Sequence, residues 1–192
     1  MLIEVYDLVQ PVFHADSVHS NRLFVKKGIL LNAKDENIWL GAGMYFWDTK
    51  SNAKYWKKLK KKQNCSGKYS IIKASLRCNV DDLLNLTDED SVNELQEYVE
   101  ECAKIYCQQR NKEIDLSKMK TGEIINFAYK CSKLYNPDKT FKCVKGIGLY
   151  KKHGANFVVN EDRHGLPIHL TSRGKIIYSV REKETLFDRQ EM

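Results

Sequence analysis

The chain has 192 residues, 42% hydrophobic and 10% aromatic, which suits one soluble globular domain with its own core. Its 32 Lys and Arg against 25 Asp and Glu leave a formal charge of +7, a balance that favours phosphate-bearing partners. No run approaches the roughly 20 apolar residues of a membrane helix, and Met1-Leu2-Ile3-Glu4-Val5-Tyr6-Asp7 has early acids and no basic stretch, so neither a membrane span nor a signal peptide is expected and a cytoplasmic location is.

In chain order, alternating Val, Ile, Tyr and Phe predict short strands over 2–8 and 11–14. A short helix is expected over 17–27, capped by Ser17 and ended at Gly28, where a left-handed residue belongs. A polar loop over 34–37 leads into the apolar, glycine-punctuated segment Trp39-Leu40-Gly41-Ala42-Gly43-Met44-Tyr45-Phe46-Trp47. Ala53, Trp56 and Leu59 recur at helical spacing and predict a helix over 51–63, with Ser51 as its cap. Strict alternation over 69–78 puts Ile72, Ala74, Leu76 and Cys78 on one face of a half-buried strand, which 81–86 leads out of.

Val92, Leu95, Val99, Cys102 and Tyr106 line a helix over 91–110, with Ser91 and Glu94 in a capping-box pattern. Ile124, Ile125, Ala128 and Cys131 give another over 121–134, and Pro137 closes that region. Strands are expected over 141–150, 156–160, 166–172 and 175–180, and the charged tail over 181–192 is expected to fray. Strands bracket the chain and helices gather early and centrally, so the class is α+β and not a βαβ alternation. The six cysteines (65, 78, 102, 107, 131, 143) form no CxxC pair; reduced thiols are expected, and no metal site.

Gly41 and Gly43 suggest a tight turn or a close ligand approach. Tyr45 follows on a strand, and Tyr55 lies ten residues on in the next helix, so the pair could sandwich a planar ring; aromatic core packing is the plainer reading of the same residues. Lys57, Lys58, Lys60, Lys61 and Lys62 form a cluster that either attracts phosphate backbones or simply suits the end of a helix.

Leu40-Gly41-Ala42-Gly43-Met44-Tyr45-Phe46, followed by Ser51-Asn52-Ala53-Lys54-Tyr55, resembles the donor-site segment of the poly(ADP-ribose) polymerase-like, or diphtheria-toxin-like, ADP-ribosyltransferases. Phe13-His14-Ala15-Asp16 stands where that family carries an upstream histidine, and Gly28-Ile29-Leu30 matches its step after the first helix. The resemblance is closer still to small bacterial proteins of toxin–antitoxin and phage-defence systems, which share the late Val144-Lys145-Gly146 step. It is good over 10–60, thin over 85–140 and weak over 141–180.

The resemblance implies a single domain over 1–192: a split, mixed β-sheet core with a helical insertion at about 85–140. It implies NAD as substrate and transfer of ADP-ribose, with RNA, DNA or protein as acceptor, an antitoxin as a further partner, and no membrane. His14 would bond the ribose hydroxyls, and the Ala15 backbone the nicotinamide carboxamide. Tyr45 would stack on the nicotinamide beside Gly43 and Phe46, Tyr55 would cover its other face, and Asn52 falls where a serine often bonds the carboxamide. His169 aligns where the family carries its late-strand Glu; Glu161, Glu182 and Glu184 are the alternative carboxylates, and Ala15 replaces the usual glycine. Breaking the glycosidic bond builds positive charge at the ribose C1′, so held leaving groups and an acceptor near the sugar are what the chemistry asks for. With these departures, two readings stand: a mono-ADP-ribosyltransferase acting as an intracellular toxin or defence effector, and a catalytically impaired module that binds NAD, ADP-ribose or nucleic acid. A third, an RNA 2′-phosphotransferase, lacks the arginine-rich constellation that such enzymes carry.

Overall fold

The computed structural model describes residues 7–31, 39–111, 113–149 and 174–192. The strands expected over 156–160 and 166–172, most of that over 2–8, the loop over 34–37, and His153, Glu161, His164 and His169 lie outside the described residues.

Alternation builds the centre of the sheet. β1 (Leu8–Ser17) and β3 (Tyr69–Cys78) pair antiparallel along their whole length, from Leu8 opposite Cys78 to Ser17 opposite Tyr69. Ile72, Ala74 and Leu76 enter one core, while Lys73, Ser75 and Arg77 stay half-buried on the other face. β2 (Met44–Trp47), β4 (Leu83–Asn85), β5 (Cys143–Leu149), β6 (Gly174–Val180) and β7 (Leu186–Glu191) complete a seven-stranded mixed sheet in the order β4-β5-β6-β2-β1-β3-β7. Among the described residues, only β4 and β5 run parallel. Among the described residues, β1 and β2 register only Phe13 with Trp47, so the sheet is joined at its middle by its shortest ladder.

Among the described residues, four helices cover the sheet: α1 (Val18–Lys27), α2 (Lys50–Gln63), α3 (Glu89–Arg110) and α4 (Thr121–Tyr135). Ser17 caps α1 by accepting from the Ser20 N–H at 3.1 Å, and Gly28 ends it at φ 67°, both as the sequence predicts. The other caps differ from expectation. Thr49, not Ser51, caps α2, because the helix starts one residue earlier. α3 starts at Glu89, so Ser91 lies inside its first turn and donates to Asp88 instead of closing a capping box.

Phe24 of α1, Val12, Met44, Phe46, Ile72, Tyr178, Val180 and Leu186 form the core on one face of the sheet. Ala15, Trp47, Ala53, Val99, Ile125, Ala128, Val144 and Ile177 form the core on the other, with α2, α3 and α4 packed over it. The tail does not fray. After a short turn it returns as β7, the edge strand on β3, and Leu186 is 3% exposed. Its charged side chains mark an edge strand, which needs polarity on its open side, and a single buried leucine anchors it. Among the described residues no helix is long and apolar enough to cross a membrane.

Candidate functional site

The central junction between β1 and β2 holds the residues that the sequence singles out. His14 is 7% exposed, and its ring packs on Phe46 with centroids 5.5 Å apart. Its Nδ1 lies 2.5 Å from the backbone oxygen of Tyr45. A carbonyl only accepts, so Nδ1 carries the proton and donates. Nε2 is buried and has no hydrogen-bond partner among the described residues; the nearest carboxylate oxygen, Oδ2 of Asp16, stands 3.7 Å away.

Asp16 is two residues beyond His14 on β1, which puts both side chains on one face of the strand. It accepts from the Ser17 N–H at 2.6 Å and pairs with Nζ of Lys60, from α2, at 2.5 Å. Burial pulls its carboxyl upward, but the adjoining His14 ring, the hydrogen bonds from Lys60 and the Ser17 backbone, and the lysine charge outweigh burial and hold it well below the usual carboxylate range. Asp16 is therefore an anion at neutral pH beside the open nitrogen of His14. The signal for it was present in the sequence as His-x-Asp at the end of a predicted strand.

Tyr45 points the other way. Successive strand residues face opposite sides; Phe46 joins the α1-side core with His14, and Tyr45 packs against the opposite core beside Trp47. Its hydroxyl donates to the Gly41 carbonyl at 2.8 Å and accepts from the Leu40 N–H at 2.9 Å, tying the ring to the turn that precedes its own strand. Burial raises its pKa above the ordinary value of 10.0. The structure thus joins His14 to the backbone of Tyr45 and not to its ring.

The glycine turn is approached closely by the protein's own side chains. A Cβ on Gly41, at φ 73°, would collide with Nη2 of Arg181 and come within 2.6 Å of Oδ1 of Asn126. A Cβ on Gly43 would collide with Oγ of Ser179 and meet the Val180 carbonyl at 2.9 Å. Oδ1 of Asn126, on α4, accepts from the Ala42 N–H at 2.7 Å and from Nη2 of Arg181 at 2.9 Å. The Arg181 guanidinium lies over the rings of Tyr129 and Phe141, at 4.4 and 5.2 Å from their centroids. Burial lowers its pKa to about 10, which still leaves it charged at neutral pH. Sequence reasoning missed Asn126 and Arg181, whose contacts to residues 41 and 42 are set by tertiary packing and have no local pattern.

The remaining expected residues are spread around this junction. Ala15 is buried and pairs with Ile71 in the ladder of β1 and β3. Phe46 is fully buried between His14 and Phe24. Asn52 is buried, and its amide nitrogen donates to Asp48 at 2.8 Å. Tyr55 is 41% exposed on α2. Of the alternative carboxylates, Glu182 pairs with Lys133 at 3.8 Å, and Glu184 lines a shallow cavity of about 500 Å³ with Val25, Lys27 and Arg189. That cavity contains neither His14, Tyr45 nor Tyr55. No family model, curated protein or solved structure matches the chain.

Proposed function

We propose that the chain is an NAD-dependent mono-ADP-ribosyltransferase, acting as an intracellular toxin or defence effector on nucleic acid or protein. One observation carries the reading: the buried imidazole of His14 is fixed through Nδ1 to the Tyr45 carbonyl and leaves Nε2 without a hydrogen bond. A buried polar atom without a partner calls for an explanation, and a bound ligand is one that would satisfy it. A ribose hydroxyl can donate to Nε2, which is the role that the resemblance gives His14. The short ladder between β1 and β2 also suits a split sheet.

In this reading the bond from the ribose C1′ to the nicotinamide nitrogen breaks. Nicotinamide leaves as a neutral molecule with the bonding pair, and the acceptor's nucleophile forms the new bond to C1′ and gives up its proton. Hydrogen bonds to the ribose fix the sugar for that displacement, and the Asp16 anion beside His14 favours positive charge nearby. Tyr55 would supply the exposed aromatic face.

A second reading, a module that binds NAD, ADP-ribose or nucleic acid without turnover, has a specific observation in its favour. The Tyr45 hydroxyl is held by Leu40 and Gly41, and its ring is on the face of the sheet opposite His14. Incubation of the purified chain with NAD labelled in the adenylate, together with cellular RNA, DNA and protein, separates the two. Transfer of label that Tyr45→Ala and His14→Asn abolish supports the transferase. Calorimetric NAD binding with no transfer supports the module and overturns catalysis.

A further inference from the structure

The formal charge of the whole chain sits on one helix. α2 contains seven lysines (50, 54, 57, 58, 60, 61, 62) and no acid, a charge of +7 that equals the chain's net charge, so the other residues sum to zero. Lys60 turns inward to Asp16. At 100° per residue, Lys50, Lys54, Lys57, Lys58 and Lys61 fall within an arc of about 100°. That arc lies opposite the buried Asn52, and Lys50, Lys54, Lys58 and Lys61 are exposed.

Helix stability does not account for this stripe. Lysines suit the last turn of a helix, but Lys50 and Lys54 stand at the first turns, where the dipole disfavours them, and no acid is there. Lys50 and Lys54, Lys54 and Lys58, Lys57 and Lys61, and Lys58 and Lys62 are like-charged neighbours one turn apart, each destabilising. An anion laid along the stripe would relieve them all. From Lys50 to Lys61 the stripe is about 17 Å long, and at about 3.4 Å per nucleotide along one strand it faces on the order of five phosphates.

We infer that the outer face of α2 is a polynucleotide-binding surface that holds the phosphodiester backbone through Lys50, Lys54, Lys57, Lys58 and Lys61. The surface stands on α2 alone; that the bound strand is the acceptor rests on the transferase reading above. Recognition here is by charge and spacing, so sequence preference is weak and salt dependence strong.

The test is fluorescence anisotropy with a labelled single strand of about 12 nucleotides, in the full chain. Affinity is expected to fall on the order of 100-fold between about 50 and about 200 mM salt. The variant K54E/K58E/K61E should lose binding, and K54Q/K58Q/K61Q, which avoids new acids should the first fail to fold, should flatten the salt slope by about 2. Absence of binding at the lower salt, an unchanged affinity and slope in the glutamine variant, or equal binding of polyglutamate or of phosphatidylserine vesicles would each overturn the inference. NAD binding is measured on the same preparations. A chain that takes NAD but no oligonucleotide overturns this inference alone, and one that takes the oligonucleotide but no NAD supports the surface without the acceptor role.

Discussion

His14 and Tyr45 are 31 residues apart in sequence, and the ring Nδ1 of the first lies 2.5 Å from the carbonyl oxygen of the second. That bond crosses the β1–β2 junction where the strand ladder itself is shortest. It therefore acts as a side-chain rivet between the two parts of the sheet. Replacing His14 with Phe keeps the packing on Phe46 and leaves the Tyr45 carbonyl unpaired, at an expected cost of about 1–3 kcal/mol. His14→Asn restores a donor at the Nδ1 position and should recover a good part of that loss. Urea denaturation of the two variants checks the order; equal stabilities would contradict it.

Asp16 carries a pH dependence. Its folded pKa lies below its ordinary value of 3.8, so the folded state favours the anion. The resulting stability is complete above the unfolded value and is lost as pH falls below about 4 towards the depressed folded value. Asp16→Asn should flatten that limb of the stability–pH curve, and Lys60→Met should move the Asp16 carboxyl back towards its ordinary value. Carboxyl-carbon NMR titration reads the second directly; an unmoved Asp16 resonance would show that Lys60 contributes nothing.

Asn126 holds two donors with one oxygen, the Ala42 N–H at 2.7 Å and Arg181 Nη2 at 2.9 Å. Asn126→Ala leaves both without that acceptor and should cost about 1–3 kcal/mol. Arg181→Lys keeps the charge but loses the planar group over Tyr129 and Phe141 and should not behave as a conservative change. Thermal denaturation of each, and of the pair, checks whether the effects couple, as residues of one network do.

Leu186 tests the tail. It is 3% exposed within the α1-side core, so Leu186→Ala should cost about 2–5 kcal/mol. A frayed tail predicts no change, and amide exchange across 186–191 distinguishes the two: protection is expected where β7 pairs with β3.

The sequence revealed what short-range pattern controls. The alternation of Ile72, Ala74 and Leu76 fixed β3 to the residue, and Ser17 with Gly28 bounded α1 at both ends. It revealed less where the decisive contact is distant. The tail read as solvated because its charges face outward, while the pairing of Leu186 with Leu76 that makes it a strand is invisible locally. The glycine turn was legible as a place of close approach, but what approaches, Arg181, Asn126 and Ser179, comes from the residue after β6, from α4 and from β6. The resemblance gave His14 and Tyr45 separate roles on NAD and said nothing of a contact between them; that contact depends on the pleat, and it is the Tyr45 backbone that His14 touches.

In the transferase reading, the unpaired Nε2 of His14 receives a sugar hydroxyl of NAD. Isothermal titration calorimetry of NAD into the wild-type chain and His14→Asn tests it most directly, because asparagine can keep the bond to the Tyr45 carbonyl while removing the open nitrogen. The wild type is expected to bind NAD, and His14→Asn, still folded by circular dichroism, is expected to bind at least about tenfold more weakly, a loss of about 1.4 kcal/mol or more. No binding to the wild type, or equal binding to the variant, would contradict it.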